Sequence, residues 1–363
     1  MEKRIQTRNC NVDILRILSA TGVIILHLNS FSKGGILESA EFSSLNSILA
    51  YFGEAVFAAS VNIFLLISGY FSVECCHIRL SKVIKLLLEV SILSTVAYVA
   101  ECVLKRNIFS VTDLFVHMLP INYYIILYVV LYIFSPFVNR FINEVWDLKK
   151  HTLVLNMYII ILMLYPFGVT LFESYLDVQL MGLSSIGISG DQGGYTIVNF
   201  LGMYLIGAII KKSGFKIKKR FIIFPLFFLW CMIAIWKRCE DFYGLQSVAL
   251  NYNNPLIVIT ATLSFILFLQ MNFKANRIVE NIAKAGIMVY LLQGYCIHFI
   301  NANTYANSKV TVLLMRVIFI VFIIWILSIA LNNIFEWGFS KLSKTFLVNK
   351  INSIGNVIYM EEK

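Results

Sequence analysis

The chain has 363 residues, of which 59% are hydrophobic and 14% charged, and its net charge is +10. Soluble domains carry roughly 45–50% apolar and about a quarter charged residues, so disorder, a disulfide-stapled secreted module and an ordinary cytosolic enzyme are excluded. The mean hydropathy of +0.79 points to a polytopic helical membrane protein, in which basic residues report topology before they report nucleic acid.

A helix that crosses a bilayer needs about 20 mainly apolar residues. Ten such runs occur, at roughly 12–31, 50–71, 83–103, 118–138, 152–172, 195–210, 220–237, 255–273, 281–300 and 312–335. The expected fold is all-α, one transmembrane bundle over residues 1–363 with short polar loops. The first run follows Lys3, Arg4 and Arg8, as a signal peptide would. It contains Asp13 and Arg16, and no small-residue cleavage site follows, so it reads as a retained first span.

With the N-terminus inside and the spans alternating, the inside segments hold most of the basic residues, including the run Lys211 to Arg220. The outside segments hold only Lys33, Lys105, Arg106, Lys237, Arg238 and Lys309. This asymmetry predicts ten spans with both termini in the cytoplasm. The longest outside loop, about 173–194, is rich in glycine and reads either as a mobile lid or as a plain connector. The seven cysteines include no C-x-x-C and no zinc-like spacing, so they read as buried small hydrophobes and no metal is expected.

Ionisable groups inside a span are costly and become candidates for function. The first span carries Asp13, Arg16 and His27. Arg16 and His27 are eleven residues apart, about three helical turns, so they share nearly one face some 16–17 Å apart along the axis. Asp13 and Arg16 are spaced i,i+3 and can pair. One face thus carries a cation near the cytoplasm and a proton-transfer group near the outside. The structural alternatives are an arginine snorkelling to the interface and an interfacial histidine. Span two holds Glu54 and Asn62 and ends in Ser68-Gly69-Tyr70, after which Arg79, Lys82 and Lys85 form a basic strip. That strip is either a phosphate site or the ordinary positive-inside signal with lipid headgroups. Glu54 could orient His27 or meet substrate, or simply sit at the interface. Tyr123, Tyr124 and Tyr128 open span four. His117 and His298 are rival bases near outer ends, whereas His77 and His151 look incidental.

Asp13-Ile14-Leu15-Arg16 followed by His27 resembles the first-span motif of the acyltransferase family 3 integral membrane proteins. Ser68-Gly69-Tyr70 with the basic strip resembles that family's second span and following loop. Tyr123-Tyr124, Tyr128, Pro136 and Asn139 are similar to its fourth span, and Ala285 to Leu292 to a late segment. The resemblance covers most of the chain in order. Gln293 stands where relatives often place His, and Tyr123 or Tyr124 where many place Trp.

The resemblance implies an acyl-CoA-dependent O-acyltransferase, by default an O-acetyltransferase, acting on a hydroxyl of a cell-surface or lipid-linked polysaccharide. It implies a multi-pass protein of a bacterial inner (cytoplasmic) membrane, with no tightly bound cofactor and acyl-CoA as co-substrate. His27 would be the general base. Arg16 with Arg79, Lys82 and Lys85, and with Asp13 and Ser68 close by, would hold the donor. Glu54, Asn62, Tyr123, Tyr124 and Tyr128 would line the acceptor site or cavity, with Asn62 a possible oxyanion donor. A covalent route through Ser30 or Ser68 has no nucleophile-elbow motif behind it. The competing readings are a transporter or flippase of a lipid-linked glycan or small metabolite, a receptor without chemistry, and a glycan polymerase or ligase. The two halves do not visibly match, as related halves of a transporter often do.

Overall fold

The computed structural model describes residues 9–30, 34–75, 77–105, 108–145, 148–188, 190–214, 216–300 and 302–342, and among them there are helices and no strand. Helix α1 is Cys10–Asn29, capped by the Asn9 side chain and with Asp13 in its first turn, where the helix dipole favours an acid. A single turn, α2 (Ile36–Ser39), leads to α3 (Leu45–Phe57) and α4 (Ser60–Ser72). Next come α5 (Leu80–Lys105), α6 (Val111–Met118) and α7 (Tyr123–Arg140). Helices α8 (Leu148–Ile159) and α9 (Tyr165–Leu176) are joined by a π-helical turn, Ile160–Leu164. The remainder is α10 (Ile197–Ser213), α11 (Arg220–Tyr243), α12 (Pro255–Leu269), α13 (Arg277–Lys284), α14 (Gly286–His298) and α15 (Val310–Leu342).

Each predicted span coincides with helix, but not each is a full crossing. Seven helical stretches among the described residues are long and apolar enough to cross a membrane. Helices α12 and α14, with 15 and 13 residues, are shorter than the runs expected there, whereas α10 has 17 residues and ends three positions beyond its expected run. The predicted span at 281–300 divides at Ala285 into the polar α13 and the apolar α14. The span at 50–71 loosens at Ala58–Ala59 into α3 and α4. The termini, expected in the cytoplasm, fall at 1–8 and 343–363, outside the described residues.

Proline explains one irregularity. Pro136 has no N–H for the Tyr132 carbonyl, and that carbonyl takes the Ser135 hydroxyl at 2.8 Å instead. A π-helical turn, Phe141–Val145, follows.

Helices α1 and α3–α4 form the centre, with 56% and 61% of their apolar windows buried, against 22% for both α5 and α15. The outer helices present Phe224, Phe228, Ile318 and Phe322 on the surface. Such a continuous apolar surface suits lipid rather than water. The cysteines depart from expectation: Cys10, Cys102, Cys231 and Cys296 are half-buried and Cys75 and Cys239 exposed. At the core, α4 and α10 cross with their backbones in contact. A Cβ on Gly69 would lie 2.0 Å from the Tyr204 carbonyl oxygen, and one on Gly207 would lie 2.2 Å from that of Leu66. Small residues permit this approach between membrane helices.

The 173–194 loop is not a free connector. Asp191 is buried, receives Asn253 Nδ2 at 2.7 Å, and gives its backbone N–H to Thr170 Oγ1 at 3.0 Å. Tyr252 N donates to the Gly193 carbonyl at 2.8 Å. These bonds join the end of the loop to the 251–253 segment and bring Tyr195 against Tyr252, with ring centroids 4.4 Å apart.

Candidate active site

Helix α1 is unbroken from Cys10 to Asn29, so Arg16 and His27 keep the spacing their sequence separation demands, about 16–17 Å along one helix. Arg16 Nη1 lies 2.7 Å from Asp13 Oδ1, and the Asp13 carboxyl is buried. The guanidinium also lies 5.7 Å from the centre of the Phe71 ring.

At the other end, His27 Nδ1 is 2.6 Å from Gln293 Oε1 on α14. Gln293 is buried, and its amide nitrogen faces the Tyr290 carbonyl at 3.4 Å. An amide whose nitrogen meets a carbonyl must turn its oxygen to its other neighbour. That oxygen accepts from Nδ1–H, and this tautomer puts the imidazole lone pair on Nε2. An imidazole in that tautomer accepts a proton at Nε2.

Three cavities lie along this axis. A cleft of about 250 Å³ at the Arg16 end is lined by Arg16, Ser68, Lys82, Tyr124, Tyr128 and Lys284. A chamber of about 650 Å³ at the other end is lined by His27, Glu101, Asn122, Tyr123, Tyr290 and Gln293. A second chamber, of about 430 Å³, includes His27, Ser30, Glu54, Tyr195, Lys237 and Tyr252. A passage of about 20 Å³ is walled by Phe64, Tyr124, Gly286, Ile287 and Tyr290. It shares Phe64, Tyr124, Gly286 and Ile287 with the cleft and Tyr290 with the larger chamber. The passage therefore borders both the cleft at Arg16 and the larger chamber at His27.

Most of the residues singled out by sequence meet these cavities. Lys82 borders the cleft with its ammonium 4.7 Å from the centre of the Tyr132 ring. Tyr124, Tyr128 and Tyr132 stack along α7 at i,i+4, with centroids 6.2 and 6.5 Å apart. Ser68 lines the cleft but gives its hydroxyl to the Phe64 carbonyl at 2.9 Å, as helix serines commonly do. Glu54 lines the second chamber and Tyr123 the larger one.

The basic strip does not act together. Arg79 precedes α5, and on that helix Lys82 and Lys85, three residues apart, diverge by about 60°. Lys82 reaches the cleft. Lys85 turns to α15 and forms an ion pair with Glu336, with Glu89 at 3.6 Å. The exposed Arg79 meets Tyr132 through its backbone N–H, at 3.1 Å, and its side chain is not part of the cleft wall. Asn62 departs further from expectation. Its Nδ2 donates to the Tyr252 carbonyl at 2.7 Å, its Oδ1 accepts from Asn199 at 3.4 Å, and it lies outside the walls of all three cavities. Asn62 holds the Tyr252 segment rather than an oxyanion.

The rival bases lie elsewhere. His117 stacks on Tyr98 with centroids 4.8 Å apart and bonds Ser94 Oγ at 2.9 Å. His77 is on an exposed loop, and the side chains of His151 and His298 are outside the described residues. Sequence reasoning missed Gln293, Tyr290, Lys284, Lys237, Tyr195 and Tyr252. Only the change from His to Gln at 293 drew notice, and nothing in its spacing shows that it meets His27.

Residues 10–346 match the family model described as an acyltransferase domain, that of acyltransferase family 3. The chain belongs to acyltransferase family 3. No curated protein and no solved structure matches it. This acyltransferase-family protein is a multi-pass membrane protein and a transferase by family. The family match spans α1 to α15, so the cleft, the passage and both chambers fall within the family domain.

Proposed function

We propose that this family member moves an acyl group, by default acetyl, from cytoplasmic acyl-CoA to a hydroxyl of a cell-surface or lipid-linked polysaccharide. The observation that carries this reading is the adjoining set of cleft, passage and His27 chamber. A donor with a phosphate-bearing head and a long thin thioester arm has that shape. The head suits Arg16, Lys82 and Lys284, which supply cationic N–H donors. The arm suits the narrow apolar passage, and its thioester then lies beside His27. In the proposed topology the Arg16 end faces the cytoplasm and both termini lie there.

In the reaction, His27 Nε2 takes the proton of the acceptor hydroxyl as its oxygen bonds to the thioester carbon. The tetrahedral intermediate collapses, the C–S bond breaks, and the thiolate leaves as CoA with that proton. Tyr123 and Tyr290 bring phenol O–H donors to the same chamber for the transient oxyanion. Gln293 keeps the imidazole in the productive tautomer, and bringing both reactants to His27 supplies proximity.

The test is mass spectrometry of surface glycans from cells with and without the gene, beside free-CoA release from acyl-CoA in their membranes. A missing acyl mass and gene-dependent CoA release are expected. Unchanged glycans and no CoA release would remove the reading in favour of a transporter. His27→Ala should abolish both signals while the protein still inserts.

A further inference from the structure

The second chamber has no part in the donor route. None of the residues that wall the passage lines it, and it shares only His27 with the larger chamber. Tyr123, which lines the larger chamber, and Tyr252, which lines the second, have hydroxyls 3.3 Å apart and flank the place where the two chambers meet at His27.

Its wall carries an unusual group. Glu54 is 7% exposed, and its Oε1 is a buried atom with no hydrogen-bond partner. The Asn29 side chain, next to it, donates to the Ala50 carbonyl at 3.2 Å. A buried carboxyl oxygen left unmatched is costly, and the Glu54 side chain lines the chamber, so a ligand there meets a polar group in the wall. Nearby, Lys237 is balanced by Asp241, with Nζ and Oδ1 2.5 Å apart, and Asp241 also receives the Tyr51 hydroxyl at 3.0 Å. Lys237 is thus already paired and is the one Lys or Arg in the chamber's lining among the described residues, so the chamber suits a neutral ligand better than phosphate or an acidic sugar. The Tyr195–Tyr252 pair offers flat aromatic surface with polar edges.

We propose that this chamber is the acceptor site, in which a neutral sugar ring lies against Tyr195 and Tyr252, hydrogen-bonds the Glu54 carboxyl, and reaches His27 from the side away from the donor. The proposal rests on the acyl-transfer reading and adds to it the class of acceptor and a separate entry. His27 is the one residue common to both chambers, so donor and acceptor meet only there. Water in the acceptor chamber reaches the thioester only past the same histidine, which disfavours hydrolysis.

The experiment uses membranes containing the full chain, radiolabelled acetyl-CoA, and surface glycan isolated from producing cells and titrated as acceptor. Glu54→Leu and Tyr195→Leu should each raise the glycan concentration for half-maximal labelling by about tenfold or more. The acetyl-CoA concentration for half-maximal labelling should stay at the wild-type value. Complete loss of labelling with acetyl-CoA binding intact, read as ligand-induced thermal stabilisation, also supports the proposal. An unchanged glycan requirement in Glu54→Leu overturns it, as does loss of acetyl-CoA binding together with labelling. A wild-type membrane that neither labels glycan nor releases CoA removes the acyl-transfer reading itself, a result distinct from either variant's failure.

Discussion

His27 on α1 and Gln293 on α14 are in direct hydrogen-bond contact, with Nδ1 and Oε1 2.6 Å apart. The Tyr290 carbonyl fixes which way the Gln293 amide points, and so which imidazole nitrogen carries the proton. Gln293→Leu should lower kcat by about tenfold to a hundredfold with little change in the KM for acyl-CoA, because orientation is lost while the donor site is intact. Gln293→Glu keeps an oxygen at Nδ1 and should retain most of the rate. Steady-state transfer kinetics of the two variants check this, and equal losses in both would argue against a positioning role.

The divergence of the basic residues predicts unequal effects. Arg16→Ala and Lys82→Ala should each raise the acyl-CoA concentration for half-maximal transfer by about tenfold, the order expected for a lost charged hydrogen bond. Arg79→Ala should change it by less than about twofold, since its side chain lies outside the cleft wall. Lys85→Ala should leave donor use alone and lower thermal stability slightly, because its partners are Glu336 and Glu89. Donor titrations of the four variants decide whether the cleft is the donor site.

The passage between cleft and chamber is narrow enough to plug. Ile287→Trp adds a bulky ring to a space of about 20 Å³. Transfer should fall by about a hundredfold while CoA still binds and protects against thermal unfolding. Normal transfer in this variant would show that the arm follows another course.

Gly69 and Gly207 carry a structural prediction. Either residue changed to Leu forces α4 and α10 apart, since even a Cβ would fall 2.0 or 2.2 Å from a facing carbonyl oxygen. Each substitution should cost about 1–3 kcal/mol or more through overpacking, read as a lower Tm of the detergent-solubilised protein. The Ser68-Gly69-Tyr70 motif thus has a packing reason as well as its place beside the cleft.

The amino-acid sequence by itself determined the solvent of this protein, its all-helical class and the geometry within single helices. Apolar runs reveal the spans because a bilayer demands backbone bonds satisfied within each segment. Arg16 and His27 could be placed on one face, and Asp13 beside Arg16, because helical periodicity converts spacing into position over a few turns. The same periodicity could have warned that residues 82 and 85 diverge, yet which of them meets Arg16 depended on where α7 and α15 pack. Only the tertiary structure joined His27 to Gln293, 266 positions away, and Asn62 to the Tyr252 carbonyl, 190 away. It alone set one histidine in the walls of two chambers. Contacts between distant helices follow from packing and backbone approach, and no local spacing in the chain encodes them.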